Sequence, residues 1–412
     1  IALASANALD RIVLDDSPFT VLDKARPWQQ RGDSTPRRAA ISAFGFGGIN
    51  AHVLLQEWDE SQVQSEQANL GQVVSPPESQ DIAIVGMDTY FGPWQSLTEF
   101  TERLFDSGRS MEPAPLNDTW GIENSALGYT IDHVDIPLGR FRIPPNEIKD
   151  MLPQQLLMLQ VAANALLDAG IEENRDSELK SAGVYIGIGL DLSTTNFHLR
   201  WHLLSKAREW ARQLKLSLSE KQLSKWVGAL RDASGPAMNA NRTMGALGGI
   251  VASRIARAFN IGGPSFTLSS EESSGLRSLE AGVRALQRKE ISTAIVGAVD
   301  LASDIRAVAR QMSDVGIEKE KGRVIGEGAA AVILKRHEDA IRDGDRVYAL
   351  IKGLGAANVG SLEKVRPDVS SHQKAVQRSL DDAGVNLDSI SLIEKQGSSV
   401  TNAGAIEIDH YR

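Results

Sequence analysis

The sequence predicts a layered α/β fold, and two kinds of hydrophobic pattern predict it. Short, continuous apolar runs recur along the chain, as expected for strands that are covered on both faces. Longer stretches between these runs carry apolar residues at the three- and four-residue spacing of a helix. Strands that alternate with helices along a chain favour a sheet with helices packed against it.

The five clearest apolar runs are the predicted strands. They are Ile82–Gly86, Gly183–Gly187, Thr293–Gly297, Ala330–Leu334 and Tyr348–Ile351. Two of the stretches between them have a clear helical period of apolar residues. These residues are Leu152, Leu156, Leu159, Ala163 and Leu166 in the first stretch, and Leu276, Leu279, Val283 and Leu286 in the second.

Composition divides the chain into three segments. Residues 1–58 end in a turn of small residues followed by an apolar strand. Residues 59–80 are rich in Gln, Ser and Glu and contain two adjacent prolines, a composition typical of an exposed linker. Residues 81–412 carry the α/β pattern. Both ends of the sequence break off inside such patterns, so we expect a piece of a longer polypeptide.

One stretch of the third segment differs from the rest. Residues 192–241 hold Trp201, Trp210 and Trp226 among many Lys and Arg side chains. This pattern predicts an amphipathic helical insertion that lies over the core as a covering or interface element.

Composition also excludes several classes of function. The net charge of −9 is unsuited to a nucleic-acid partner or an anionic membrane. The sequence contains 0 Cys, which excludes disulfides, thiolate-bound metals and a cysteine nucleophile. No apolar run reaches the length of a membrane span, and the start lacks a signal peptide, so we expect a cytoplasmic protein.

Four motifs in the third segment resemble β-ketoacyl synthase (ketosynthase) domains. Asp81–Met87 resembles their opening strand, and Pro153–Leu157 with Asp168–Gly170 resembles their "DPQQRLLL…EDAG" helix. Glu327–Lys335 and Arg342–Ala349 resemble the block "EGAGVVVLK…RDGDRIYA". A fifth motif lies far upstream, because Asn50-Ala51-His52 is similar to the family's closing "FGFGGTNAH".

The closing motif therefore precedes the opening motif, which implies two synthase-like domains in tandem. Residues 1–58 would be the C-terminal tail of an upstream ketosynthase, and 59–80 a linker. Residues 81–412 would be a ketosynthase-like domain that lacks its C-terminal end. The resemblance implies a thiolase-like fold with five α-β-α-β-α layers, truncated at the C-terminus. It also implies that the strand at Ser265–Ser270 lies at a pseudo-dimer interface.

The family's reaction depends on a Cys in "DTACSSSL" and on two His residues, and this sequence departs from that pattern. The Cys motif falls on Ser269–Leu276 and puts Glu272 at the nucleophile position. The motif "VEAHGTGT" falls on Ile393–Val400 and puts Gln396 at the first His. An acylated Glu would be a rapidly hydrolysed anhydride, and a Gln amide cannot carry the imidazolium charge. The resemblance thus implies that no catalytic residue is intact.

Three functions remain open at this point. Chain length factors, the inactive partners of ketosynthases, lose the same groups and shape the tunnel in which the acyl chain grows. Loading synthase domains that decarboxylate malonyl-carrier protein also lack the Cys, but they retain both His residues. A pure structural scaffold would influence no product at all.

The resemblance also suggests roles for two groups of residues. Glu271 and Glu272 are expected at a tight turn before a helix, where we hypothesise that backbone amides hold Glu272 as a plug in the former acyl pocket. The turn that resembles the family's acyl-channel gate consists of Phe44, Gly45, Phe46, Gly47, Gly48, Asn50 and His52.

The family setting implies partners rather than a bound cofactor. We expect no directly bound cofactor and no metal. The acyl substrate would be carried on the phosphopantetheine arm of an acyl carrier domain outside this sequence. An active ketosynthase domain, in cis or in trans, would be the other partner. The arrangement is similar to the multidomain synthases of polyunsaturated fatty acids, with an iterative or modular polyketide synthase as a further setting.

Overall fold

The computed structural model divides the chain into two units, 1–77 and 78–412. The division lies within the predicted linker 59–80, most of which is outside the described residues. The assignment of the two units to tandem domains stays a prediction. The structure describes residues 22, 24–30, 36–45, 48–58, 80–106, 111–116, 126–137, 139–141, 143–171, 179–189, 192, 195–314, 324–358 and 369–394.

The first unit contains an antiparallel hairpin of β1 (Arg38–Phe44) and β2 (Asn50–Gln56). The connecting turn includes Gly48 at φ +91°, a left-handed conformation that favours glycine. At the open end of the hairpin, the Nε of Arg37 donates to Glu57 over 2.9 Å. The hydrogen bonds from Arg37 lower the pKa of Glu57 to about 2.

The second unit is built on one mixed sheet of eight strands. They are β3 (Ile82–Phe91), β4 (Ala114–Pro115), β5 (Leu127–Tyr129), β6 (Ala182–Ile188), β7 (Ser265–Leu268), β8 (Thr293–Leu301), β9 (Val324–Arg336) and β10 (Ala349–Ile351). The main path runs β10-β3-β9-β8-β6-β7, and the short β4 and β5 attach beside β9. On the main path, β6 is parallel to β7 and β8, whereas the pairs β10–β3, β3–β9 and β9–β8 are antiparallel. The short β5 pairs parallel with β9.

The described helices follow the strands along the chain. They are α1 (Leu97–Phe105), α2 (Pro145–Ile148), α3 (Pro153–Asp168), α4 (Thr195–Gln213), α5 (Glu220–Ala233), α6 (Ala240–Gly245), α7 (Val251–Ala258), α8 (Ser274–Gln287), α9 (Ile305–Asp314), α10 (His337–Asp343) and α11 (Val369–Ala383). Short 3-10 turns cover Gly248–Ile250 and Leu387–Ser389. None of these helices combines the length and the apolar character that crossing a bilayer requires.

Helices cover both faces of the sheet, as the continuous apolar runs predict. Alternate strand residues such as Val184 and Ile295 pack with α3 and α7 on one face. Their neighbours Tyr185 and Val296 pack with α8 on the other face. The sheet and its two helical coverings are three layers of the predicted thiolase-like α/β fold, and the described residues of this unit contain no second large sheet.

The predicted insertion is a pair of helices, α4 and α5. Helix α5 begins with a capping box, in which the backbone NH of Gln222 donates to Ser219 Oγ over 3.3 Å. The amide oxygen of Gln222 accepts from the Ser219 NH over 2.9 Å in return. Ala207, Leu223 and Val227 form a small apolar cluster between the helices.

A buried lysine joins the end of β9 to the loop after α10. Lys335 Nζ lies 2.7 Å from Asp345 and 3.0 Å from Asp343, and its side chain is 4% exposed. Burial lowers the pKa of Lys335, but the hydrogen bonds that Lys335 donates to the two carboxylates, with their negative charges, outweigh burial and leave that pKa raised. The hydrogen bond from Lys335 lowers the pKa of Asp343.

We expect Lys335→Met to reduce the free energy of unfolding by about 3 kcal/mol at neutral pH, because Asp343 and Asp345 lose the buried cation that they share. The pKa of Asp343 is lowered in the folded state, so this stabilisation is present above the unfolded pKa of about 4. The difference between the variant and the wild type should shrink as the pH falls through the lowered pKa. Urea denaturation at several pH values measures it.

The matched control is Arg342→Met. Arg342 also pairs with Asp343, but its side chain is 67% exposed, so its loss should change the free energy of unfolding by less than about 1 kcal/mol. Equal losses for the two variants would contradict a special role of the buried lysine.

Candidate functional site

The turn between β7 and α8 is shaped by serine hydroxyls. Ser274 Oγ accepts from the Ser270 NH over 2.8 Å and donates to the Glu271 carbonyl over 2.6 Å. Ser273 Oγ donates to the Ser270 carbonyl over 2.8 Å. Within this turn Glu271 lies at φ +50°, a left-handed conformation that costs a non-glycine residue about 1 kcal/mol. Backbone strain of this kind is found at functional turns.

The turn is pressed against the end of β6. A Cβ atom added to Gly187 would lie 2.6 Å from the carbonyl carbon of Ser274 and 2.7 Å from the nitrogen of Gly275. The first turn of α8 therefore contacts the strand backbone directly. This contact fixes where Glu272, two residues before the helix, can lie.

An open cleft of about 490 Å³ lies beside this turn, at the ends of β6, β8 and β9. Its walls include the aromatic side chains of Phe91, Trp94 and Tyr129. Four carboxylates also line it: Glu271, Glu272, Asp300 and Glu327. No lysine or arginine occurs among the described residues of its lining.

Glu272 lines the cleft two residues before α8, so it lies at the helix N-terminus as predicted. Both Glu271 and Glu272 are exposed. The expected bonds from backbone amides to Glu272 are absent among the described residues. The reason is local competition, since the NH groups of Ser273 and Ser274 donate instead to the carbonyls of Ser270 and Glu271. The role of the two carboxylates as a plug stays a prediction.

Glu327 is the buried member of the acidic group, with 8% of its surface exposed. Its carboxylate accepts from the Ile131 NH over 2.8 Å and from the Ser303 NH over 3.1 Å. The Ser303 hydroxyl donates a further hydrogen bond. These donors hold the carboxylate in place without a basic side chain.

Asp300 lines the same cleft as Glu272 and Glu327. Asp300 is exposed at the surface of the cleft, but the protein atoms packed around its carboxylate partly desolvate it, and this desolvation raises its pKa. The negative charges of Glu327 and Glu272 raise the pKa further. A Cβ atom on Gly189 would lie 2.7 Å from Asp300 Oδ1, so the end of β6 crowds this carboxylate.

Sequence reasoning missed Asp300 and Glu327 as members of the site. The sequence indicates Glu327 only as part of a family motif, and Asp300 follows the predicted strand Thr293–Gly297. The antiparallel register of β8 and β9, in which Leu301 faces Glu327, brings both residues to one end of the sheet. The sequence feature that could have indicated Asp300 is its position as an acidic residue just after a buried apolar run.

The residues of the predicted gate lie in the first unit, whereas the cleft belongs to the second. Phe44 is 79% exposed at the end of β1. The Nδ1 of His52 lies 2.8 Å from the Ser42 hydroxyl on the neighbouring strand. Gly45, Gly48 and Asn50 lie at or beside the hairpin turn. Phe46, Gly47 and the predicted His replacement Gln396 are outside the described residues.

Carboxylates are the main reactive side chains among the described residues that line the cleft. With 0 Cys in the sequence, no thiolate can accept an acyl group. The hydroxyl of Ser274 is occupied by bonds within the turn. No group of three metal-ligating side chains capable of holding an ion occurs in the described part of the chain.

Three family profiles match the sequence. The profile "Beta-ketoacyl synthase, N-terminal domain" matches residues 79–340, and "Beta-ketoacyl synthase, C-terminal domain" matches 348–412. The profile "Ketoacyl-synthetase C-terminal extension" matches residues 10–86.

The chain is similar to segments of much longer curated proteins. It is 26% identical over 409 residues to a polyunsaturated fatty acid synthase polypeptide of a Thraustochytrium species, covering 93% of this chain and 18% of that protein. It is 30% identical over 394 residues to the non-reducing polyketide synthase mapC of Penicillium roqueforti, covering 91% of this chain and 14% of that protein. The chain thus spans less than a fifth of either relative.

Solved structures agree with the fold. The PfaC keto synthase–chain length factor superposes with a TM-score of 0.67 at 25% identity, covering 85% of this chain and 37% of that chain. The ketosynthase from module 6 of the bacillaene synthase of Bacillus subtilis superposes with a TM-score of 0.61 at 25% identity, covering 80% of this chain and 53% of that chain.

We expect Asp300→Asn to raise the free energy of unfolding at pH 7. The pKa of Asp300 is raised in the folded state, so its ionised form is less favourable there than in the unfolded chain. This penalty is present above the folded pKa and disappears as the pH falls below the unfolded value of about 4. Urea denaturation at pH 7 and at acidic pH measures the difference.

Asp388→Asn serves as the control, since Asp388 is exposed on a short 3-10 turn. Its substitution should change stability little at either pH. An Asp300→Asn variant that is less stable than the wild type at pH 7 would show that ionised Asp300 supports the fold.

Proposed function

The chain belongs to the β-ketoacyl synthase family, and we propose that its second unit is a non-catalytic member of the chain-length-factor type. In this role the unit pairs with an active ketosynthase and shapes the tunnel in which that partner elongates an acyl chain. The observation that supports the proposal is Glu272, a carboxylate that the motif alignment puts at the position of the family's nucleophilic Cys.

The electrostatics of the cleft support the absence of a condensation reaction. Malonyl extenders carry a carboxylate, and the phosphopantetheine arm carries a phosphate. A cleft lined by Glu271, Glu272, Asp300 and Glu327 repels both groups. Decarboxylation of a malonyl thioester, the alternative that retains a reaction, is disfavoured for the same reason.

The relatives support the setting of the proposal. Nearly the whole length of this chain is similar to a segment of a polyunsaturated fatty acid synthase polypeptide. A keto synthase–chain length factor superposes on most of it. We infer a multidomain synthase of fatty acids or polyketides, in which a carrier domain delivers the acyl chain on phosphopantetheine. The hairpin with Phe44 and His52 would then be the gate of an upstream ketosynthase.

The outer edge of the sheet is the proposed pairing surface. Strand β7 is hydrogen-bonded to β6 on one side and is the last strand of the main path. Phe266 on this strand is 38% exposed and packs edge-to-face on Tyr185, with ring centroids 5.1 Å apart. A groove of about 450 Å³ runs beside the strand and includes Leu268 and Arg277. An open edge with an exposed aromatic residue is a surface that proteins cover.

Pairing and tunnel shaping can be tested together by co-expression with the ketosynthase domain of a polyunsaturated fatty acid synthase. We expect a complex on size-exclusion chromatography and a changed length distribution of the acyl products. Phe266→Asp should abolish both effects, because an ionised side chain would be buried at the interface. Arg277→Glu provides a second groove variant, and Val369→Asp on α11 is the exposed-site control.

Three results would contradict the proposal in different ways. A complex without any change in product length would favour the scaffold. Release of carbon dioxide from malonyl-carrier protein by this chain alone would favour the decarboxylase. Pairing that survives both groove variants, with thermal melts showing folded proteins, would place the interface elsewhere.

A further inference from the structure

The helical hairpin formed by α4 and α5 has a core of its own. Ala207 on α4 is fully buried against Leu223 and Val227 on α5. Trp226 packs on Trp210 of the facing helix, with ring centroids 6.3 Å apart. This cluster is separate from the clusters that surround the sheet. The outer faces of the hairpin are therefore free to serve another purpose than covering the core.

The hairpin is strongly basic in a chain that is acidic overall. Residues 195–233 contain eight Lys and Arg against three Asp and Glu, whereas the whole sequence has a net charge of −9. Most of these basic side chains are exposed. An isolated positive region on a negative protein attracts anionic partners and orients them.

One face of α4 combines this charge with exposed apolar side chains. Trp201, Leu204, Arg208 and Arg212 follow one another at helical spacing and so share a face. Trp201 is 77% exposed and Leu204 is 37% exposed. A tryptophan beside arginines is the combination that dominates binding energy in protein interfaces.

The acidic residues of the hairpin leave this charge largely uncompensated. Arg208 lies 3.7 Å from Glu220, and both side chains are more than half exposed, so the pair contributes little. The side chain of Arg212 donates only to the Arg208 carbonyl within the described residues, over 3.4 Å. Both guanidinium groups can therefore donate hydrogen bonds to a carboxylate of a partner.

The positive surface continues at the end of the hairpin. A pocket of about 260 Å³ there is lined by Lys149, Arg200 and Arg242. Asp150 in the same pocket is paired with Arg242 over 3.0 Å, so two positive charges remain without a carboxylate in this lining. The basic residues of this pocket extend the positive surface of the helical hairpin towards α2 and α3.

We propose that the Trp201–Arg212 face of the hairpin docks the acidic face of an acyl carrier domain. This inference rests on the proposed function, because a tunnel-shaping partner acts on a chain that a carrier domain delivers. Trp201 and Leu204 are the apolar anchor of the contact. Arg208 and Arg212 bind the carboxylates of the carrier domain, and the remaining basic side chains guide its approach.

The width of the apolar strip favours a protein partner over a lipid surface. A helix that lies in a membrane interface needs a continuous apolar face along its length. On α4 the apolar strip at Trp201 and Leu204 is followed on the same face by Arg208 and Arg212. A short apolar anchor with a charged continuation fits the polar rim of a protein interface.

The test measures binding of an isolated, phosphopantetheinylated acyl carrier domain of net negative charge to the full chain. Trp201→Ala and the double variant Arg208→Glu/Arg212→Glu should each weaken binding at least about tenfold. Binding by the wild type should also fall steeply between low salt and about 0.5 M salt. The charge-matched control Lys180→Glu/Lys374→Glu changes two exposed lysines and should bind like the wild type.

The outcomes separate this inference from the proposed function. Unchanged carrier binding by both hairpin variants overturns the docking surface. Recovery of the chain on phosphatidylglycerol vesicles, with no carrier binding, overturns it in favour of a lipid surface. Loss of self-association or of ketosynthase pairing in the hairpin variants overturns it in favour of a chain–chain contact. If the hairpin variants lose carrier binding but still pair with the ketosynthase through β7, the result supports both the docking surface and the proposed function.

Discussion

The direct contact between helix backbones and the central sheet is the constraint on which the rest of the structure depends. A Cβ atom on Gly86 of β3 would lie 2.6 Å from the Ala165 carbonyl oxygen of α3. One on Gly187 of β6 would lie 2.6 Å from Ser274 at the start of α8. Only glycine permits these approaches, so one helix on each face of the sheet is locked at contact distance. The cleft is the space that remains at the ends of the locked strands.

Under the proposed function, in which Glu272 occupies the family's nucleophile position, this constraint explains how the domain keeps its shape without the family's catalytic residues. The position of Glu272 depends on the contact between α8 and β6, and that contact involves backbone atoms rather than the side chain at the family's nucleophile position. A carboxylate can therefore stand where the family has a thiol without disturbing the helix. The pKa of Asp300 is raised chiefly by desolvation, and then by the negative charges of Glu327 and Glu272, which share the cleft.

The sequence predicts the covered strands and their helices well, because burial on both faces leaves a continuous apolar run that is visible without any partner. The resemblance to the ketosynthase family, rather than a local pattern, predicts Glu272 near the helix N-terminus. The sequence does not predict Asp300 beside Glu327, since that proximity arises from the pairing of β8 with β9. Nor does it predict the hydrogen bonds of the turn, where the NH groups of Ser273 and Ser274 donate to the carbonyls of Ser270 and Glu271 rather than to Glu272.

The helical hairpin of α4 and α5 and the sheet edge at β7 are two chemically different surface regions. Strand β7 presents an aromatic side chain and open backbone groups, which suit a long-lived partner that completes the sheet. The hairpin presents a single exposed tryptophan among exposed arginines, which suits a partner that arrives quickly under electrostatic guidance and leaves again. Because the hairpin core around Ala207 is separate from the sheet core, substitutions on its outer face need not disturb the sheet edge. Under the proposed function both kinds of contact are needed, since the ketosynthase would stay bound while each carrier domain would depart.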